Sequence, residues 1–177
     1  MGMLGRRVLV GALAVALPFG VQLGLGASAD AAGVTTLYYS SAGAPDYLTQ
    51  IDQAATNWNA AVSDVRLVKG GSATIVFHET DDGQGSYTST DGHGHGQVYI
   101  DRQQVEEGFA PTRIAAHELG HNLGLPDDYT GPCSEIMSGH GPGTSCTNAV
   151  PDAAEAAQVQ QNWVNGFAAA GPERAAR

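Results

Sequence analysis

The segment His117-Glu118-Leu119-Gly120-His121 places two imidazoles four positions apart. On an α-helix that spacing puts both on one face, so each can aim a ring nitrogen at a common point. Glu118 stands beside them, where a carboxylate can move a proton. Gly124 follows three residues after His121. Glycine reaches positive φ without a Cβ clash, which lets a helix end and the chain double back. The reversal would present Asp127 as a third ligand. Two histidines and one carboxylate, with one position left open, make the donor set of a catalytic zinc site rather than a closed structural one. The residual positive charge of such a site acidifies water and polarises a carbonyl. Glu118 would take a proton from the attacking water and hand it to the leaving amine. The bland alternative is a surface helix with two solvated histidines; a helix followed at once by a Gly turn argues against it.

Other elements must hold this helix in place. Residues 34–40 are rich in Val, Thr and Tyr and read as a strand. Pro45 opens a helix in which Leu48, Ile51, Ala55, Trp58 and Val62 form one apolar stripe, ending near Val62. Residues 65–69 form a short strand with Val65 and Leu67 on one face. Gly70-Gly71 marks a turn, and residues 73–78 form a strand in which Ile75 and Phe77 alternate with Val76. Residues 80–97 are dominated by Gly, Asp, Ser and Thr and read as a long irregular segment, a kind of loop that often carries function. Residues 97–101 read as a further strand. Pro111 starts the motif helix, which runs to about Leu123, and residues 126–150 read as loop. Asp152 caps a last helix over 153–167, with Val159 and Trp163 on one face, and the tail from Ala168 is expected to fray. The expectation is a single α+β domain: a small mixed twisted sheet with the motif helix and a C-terminal helix packed on it.

The first residues have a different character. Arg6 and Arg7 precede a largely apolar run over 8–25, followed by Ala27-Ser28-Ala29 and Ala29-Asp30-Ala31. That order is expected of a secretory signal peptide over 1–31, leaving a domain over 32–177. Pro18, Gly20 and Gln22 break the run, which argues against a membrane anchor. Without residues 1–31 the chain carries 6 basic and 17 acidic residues. This balance disfavours nucleic acid and anionic membrane surfaces and suits a soluble secreted protein. Cys133 and Cys146 are the two cysteines. Export favours a bridge between them, worth about 3 kcal/mol in the chain-entropy account.

Taken together, these residues resemble the snapalysin family of small secreted neutral proteases, within the metzincin metallopeptidases. The usual metzincin motif ends in a third His; Asp127 at that place is the snapalysin hallmark. The resemblance extends over Asp91-Gly92-His93-Gly94, Gly124-Leu125-Pro126-Asp127-Asp128-Tyr129, Gly131 to Gly139, Gly141-Pro142-Gly143 and Ser145-Cys146-Thr147-Asn148. It implies a metzincin-like domain in which His117, His121 and Asp127 bind one zinc and Glu118 is the general base. It also implies that Met137 lies in a tight turn under the metal and that Cys133–Cys146 is the disulfide. Tyr129 would stabilise the transition state or shape the pocket for the residue after the cut, where the family favours an aromatic. Some members bind calcium near an Asp-x-Thr before the motif helix. Ala110-Pro111-Thr112 stands there, so the calcium site is not carried over.

The remaining candidates have plainer readings. His93 and His95 flank Gly94 and fit a substrate-binding edge near the cleft better than a second metal site, since no carboxylates sit at ligand spacing. His78 and His140 read as ordinary polar residues, and Asp81, Asp82, Glu106 and Glu107 as solvated faces. The function expected is a secreted, monomeric zinc endopeptidase acting on protein or peptide substrates. Its rivals are a cell-wall peptide amidase and a zinc-binding module without turnover. The intact Glu118 speaks against the second rival.

Overall fold

The computed structural model describes Gly2 and residues 33–164. The expected signal peptide, the last turn of the C-terminal helix over 165–167 and the tail from Ala168 therefore lie outside the described residues. Five strands form one mixed sheet: β1 (Thr35–Gly43), β2 (Val65–Lys69), β3 (Ile75–Thr80), β4 (Tyr87–Thr90) and β5 (Gly96–Asp101). Their order across the sheet is β2-β1-β3-β5-β4. The pairs β1–β2, β1–β3 and β3–β5 are parallel, and β4 runs antiparallel to β5 as an edge strand.

Alternation decides which face of the sheet is covered. Leu37 and Tyr39, Val65 and Leu67, Ile75 and Phe77, and Val98 and Ile100 all point inward and are buried. Register places Phe77 opposite Val98 and Val98 opposite Thr88, so the buried row continues onto the edge strand. Helix α1 (Leu48–Ala61), entered through a 3₁₀ turn at Pro45–Tyr47, buries Ile51, Ala54, Ala55 and Trp58. Trp58 has no exposed surface, and its indole N–H donates to the Ala116 carbonyl at 2.8 Å. This bond fixes α1 against the motif helix, α3 (Pro111–Asn122). The last helix, α4 (Ala153–Val164), adds Val159 and Trp163 to the same core. Among the described residues no helix is long and apolar enough to cross a membrane.

The α+β domain with a small mixed sheet is as expected, with two differences in detail. The irregular segment over 80–97 contains the strand β4, and a short helix, α2 (Arg102–Glu106), follows β5 directly. Asp101 caps α2 by accepting from the Gln103 N–H at 3.1 Å, and its other carboxylate oxygen accepts from Gly85 N–H at 2.9 Å. One buried carboxylate thus shapes both the helix start and the approach to β4. The disulfide Cys133–Cys146 is formed across a sequence separation of 13.

Candidate metal centre

Helix α3 begins with Pro111 in its first turn, where the missing N–H leaves nothing unsatisfied. Arg113 and every residue after it through Asn122 are buried, so packing rather than intrinsic propensity holds the helix. It ends in a Schellman arrangement. The Leu125 N–H donates to the Gly120 carbonyl and the Gly124 N–H to that of His121, both at 3.0 Å, with Gly124 at φ 91°. This reversal turns the Leu125 carbonyl onto Nδ1 of His121 at 2.9 Å and carries Asp127 back over the helix. His117 is held in the same way, its Nδ1 lying 3.0 Å from the Ile136 carbonyl. Ile136 opens a 3₁₀ turn, Ile136–Ser138, that sits beneath the helix.

Carbonyls cannot donate, so each Nδ1 must carry the proton and each Nε2 of a neutral ring is left with a lone pair. The two Nε2 atoms face each other at 3.1 Å, and Asp127 Oδ1 lies 3.1 Å from one and 3.2 Å from the other. Asp127 Oδ1 is buried and makes no aligned hydrogen bond. Three converging acceptors repel unless a cation lies among them. Donor atoms about 2.0–2.1 Å from a tetrahedral zinc stand about 3.3 Å apart, which this triangle matches closely. Among the described residues these three form the one group of histidine, cysteine and carboxylate side chains close enough to hold an ion.

The electrostatics agree. Burial opposes charging of His121, but Asp127 and Glu118 outweigh it and raise its pKa. Burial likewise works against ionisation of Asp127, yet the two imidazoles hold its carboxyl well below the ordinary range. Both shifts mean that this corner favours a positive charge. Burial pushes the Glu118 carboxyl up, against the pull of His117 and His121. Its Oε2 is buried without a hydrogen-bond partner. A buried polar atom left open beside a ligand cluster needs a chemical reason.

Tyr129 stacks on His117 with ring centroids 6.4 Å apart, and the His140 ring lies tilted against it at 4.6 Å. Burial, then the charge of Asp127 and a hydrogen bond to it, push its hydroxyl far up, so it stays protonated. A cleft opens here, lined by Phe109, Ile114, Tyr129 and His140 together with His117 and Glu118. Ser86, just before the edge strand β4, also lines it. Met137 is buried under the helix; a Cβ on Gly120 would collide with its sulfur and come within 3.3 Å of Trp58.

His117, Glu118, His121, Asp127 and Tyr129 are thus brought together. His93 and His95 are not part of the cleft lining. The His93 ring is buried, 5.8 Å from that of Trp163, and His95 pairs with Asp91 at 3.0 Å. The reason is the loop itself: Asp91 Oδ1 accepts from the N–H groups of both His93 and His95, and Gly94 N–H donates to the Asn122 carbonyl. The loop is folded down onto the end of α3, away from the cleft.

A family model described as the Streptomyces extracellular neutral proteinase (M7) family matches residues 34–166. The chain belongs to the M7 family. The resemblance read from its motifs is thereby borne out. An M7 relative, the extracellular small neutral protease of Streptomyces sp. (strain C5), is 53% identical over 136 residues, covering 76% of this chain and 59% of that protein. The protein of the same name from Streptomyces lividans is 50% identical over 145 residues, covering 81% of this chain and 63% of its own length. The chain therefore spans about three fifths of the length of these M7 relatives. Among solved structures it is similar to archaemetzincin from Methanopyrus kandleri, with 13% identity and a TM-score of 0.46 over 75% of this chain and 97% of that one.

Two M7 residues near the site are not singled out by the sequence. Arg113, one turn before His117, is buried and donates five hydrogen bonds into the 133–148 segment. Asn122, directly after His121, donates from Nδ2 to Thr88 Oγ1 at 3.1 Å and so ties the helix to the edge strand. Arg113 is detectable in principle: a lone cation among Ile114, Ala115 and Ala116 on a helix this buried must meet acceptors.

Proposed function

We propose that the protein is a secreted, zinc-dependent endopeptidase that hydrolyses internal peptide bonds of protein or peptide substrates. Residues 1–31 serve as its signal peptide and residues 32–177 as a peptidase domain that works as a monomer. The observation that carries this reading is the triangle of three acceptor atoms on His117, His121 and Asp127, with both Nδ1 atoms already committed to backbone carbonyls. Membership of the M7 family and the description of its relatives as extracellular neutral proteases support it.

A zinc ion held by His117, His121 and Asp127 supplies Lewis acidity next to the scissile carbonyl. Glu118, with its open Oε2, accepts the proton of the attacking water and returns it to the leaving nitrogen. Burial raises its pKa, which strengthens it as a proton acceptor. Tyr129, kept protonated, donates a hydrogen bond toward the oxygen on which charge develops. The substrate lies extended along the free edge of β4, adding a strand to the sheet. The side chain after the cut enters the cleft beside His117. Its walls of Phe109, Ile114 and Tyr129 support a preference for an aromatic residue there.

Digestion of casein with and without a chelator, read by mass spectrometry of the peptides, tests the whole reading. Cleavage that stops on chelation, returns with zinc and leaves aromatic residues at new N-termini is the expected result. Cleavage indifferent to chelation overturns it.

A further inference from the structure

We propose that Arg113 and Glu155 are positioning residues for His117, gripping the turn Ile136–Ser138 from its two sides. The inference rests on the proposed function, in which His117 holds a divalent ion. Arg113 is only 4% exposed. Its Nε donates to the Gly139 carbonyl at 3.1 Å, Nη1 to those of Asn148 at 2.8 Å and Cys133 at 3.4 Å, and Nη2 to the Glu135 carbonyl at 2.9 Å and Ser138 Oγ at 2.8 Å. None of these acceptors is a carboxylate. A buried cation is ordinarily paired with an anion; this one is spent on neutral oxygens, four of the five between Cys133 and Gly139.

The anion sits on the other side of that stretch. Glu155, 9% exposed, accepts from the Met137 N–H at 2.7 Å through Oε1 and from the Asp152 N–H at 2.8 Å through Oε2. Asp152 in turn accepts from the N–H groups of Ala154 and Glu155 through Oδ1, a capping box at the start of α4. An ordinary cap would end there. Here the returning carboxylate reaches past its own helix to the turn. Positive charge therefore meets the carbonyls and negative charge the N–H, and the turn between them cannot rotate without breaking charge-assisted bonds on both sides.

The residue held between them carries the consequence. The Ile136 carbonyl is the acceptor that fixes the His117 ring, at 3.0 Å from Nδ1. Arg113 and His117 lie four apart on one face of α3, so the helix that presents the ligand also presents the group that holds the ligand's acceptor. The path from Arg113 through Glu135 and Ile136 to His117 is a closed ring of short contacts. Loosening it frees the imidazole to swing.

The experiment compares cobalt(II) binding, by chelator competition and by the visible absorption of the cobalt-loaded protein, in the unaltered chain, Arg113→Lys and Glu155→Gln. An ammonium has three donors for five acceptors, and the Gln amide presents a donor where an acceptor is needed. Both variants should bind cobalt about tenfold more weakly, the lower end of what outer partners of metal ligands typically cost, with an altered ligand-field band. Variants that fold by circular dichroism and bind cobalt with unchanged affinity and spectrum overturn the proposal, even with a lowered melting temperature. Should Arg113→Lys not fold, Glu155→Gln decides alone, because Glu155 reaches the turn from α4. Failure of the unaltered chain to bind one cobalt refutes instead the metal reading beneath it.

Discussion

Replacing Glu118 with Gln changes one oxygen for an amide and leaves the ligand triangle untouched. If the carboxylate only filled space beside His117, cleavage would survive. If it moves protons, zinc content should stay near one per chain while casein cleavage falls by about 10²–10⁴-fold, the usual worth of a positioned acid–base group. Retained activity would end that assignment. The same corner dictates how the metal-free protein responds to pH. Glu118 and His121 both have pKa values raised above their ordinary 4.5 and 6.5. The folded chain therefore holds more protons than the unfolded one, and stability must fall as pH rises. Asp127 acts in the opposite sense, but its lowered pKa confines that effect to strong acid. Melting of chelated protein should drop over the pH window that opens above those ordinary values. Zinc-loaded protein should gain relative stability over that window, because protons and metal compete for the same nitrogens. A chelated form whose melting point climbs would contradict the sign. The chemistry-bearing residues are legible because His-Glu-x-x-His and its Gly-x-x-Asp extension state their geometry in their spacing. Arg113 shows only as a buried cation that needs acceptors; which acceptors, four backbone carbonyls and the Ser138 hydroxyl 20 to 35 residues away, is not legible, because a carbonyl has no letter in a sequence.

At the level of elements, the long amphipathic pieces are legible in the sequence and the short polar ones are not. Helix α1 shows itself by Ile51, Ala55 and Trp58, and β3 by Ile75 and Phe77. Strand β4 (Tyr87–Thr90) has four residues, and only Thr88 is buried, so its half-polar edge looks like the Gly-rich loop around it. Helix α2 has five residues and buries none of them, leaving no apolar period to detect. The end of α3 is legible through Gly124, and there a backbone prediction belongs. A side chain at φ 91° costs roughly 1–2 kcal/mol. A Cβ at that position would also stand 2.8 Å from Asn162 Nδ2 and 3.1 Å from the Gly92 carbonyl. Gly124→Ala should therefore lower the urea stability of the chelated protein by at least that amount. It should also weaken zinc binding, since the Leu125 carbonyl and Asp127 both follow the turn. Unchanged values for both would mean that the reversal is not what aims them.

Across the whole molecule, order is unevenly supplied. The sheet and helices α1, α3 and α4 share one buried core. The segment over 126–150, which brings Asp127, the Tyr129 wall and the turn beneath α3, has as its regular structure only the 3₁₀ turn Ile136–Ser138. It is pinned by the Cys133–Cys146 bridge, by Arg113 and, in the proposed zinc-bound state, by an ion at Asp127. If the chain cuts extended peptides as proposed, carrying such a stretch of its own exposes it to its siblings whenever metal runs short. Copies stripped of their ion would offer that stretch as food to copies still loaded. Under a chelator dose too small to empty every molecule, lost activity should outrun the fraction emptied and grow with incubation time. The first nicks should map between residues 126 and 150. Loss that matches the chelated fraction and never deepens would mean that the segment keeps its shape without metal.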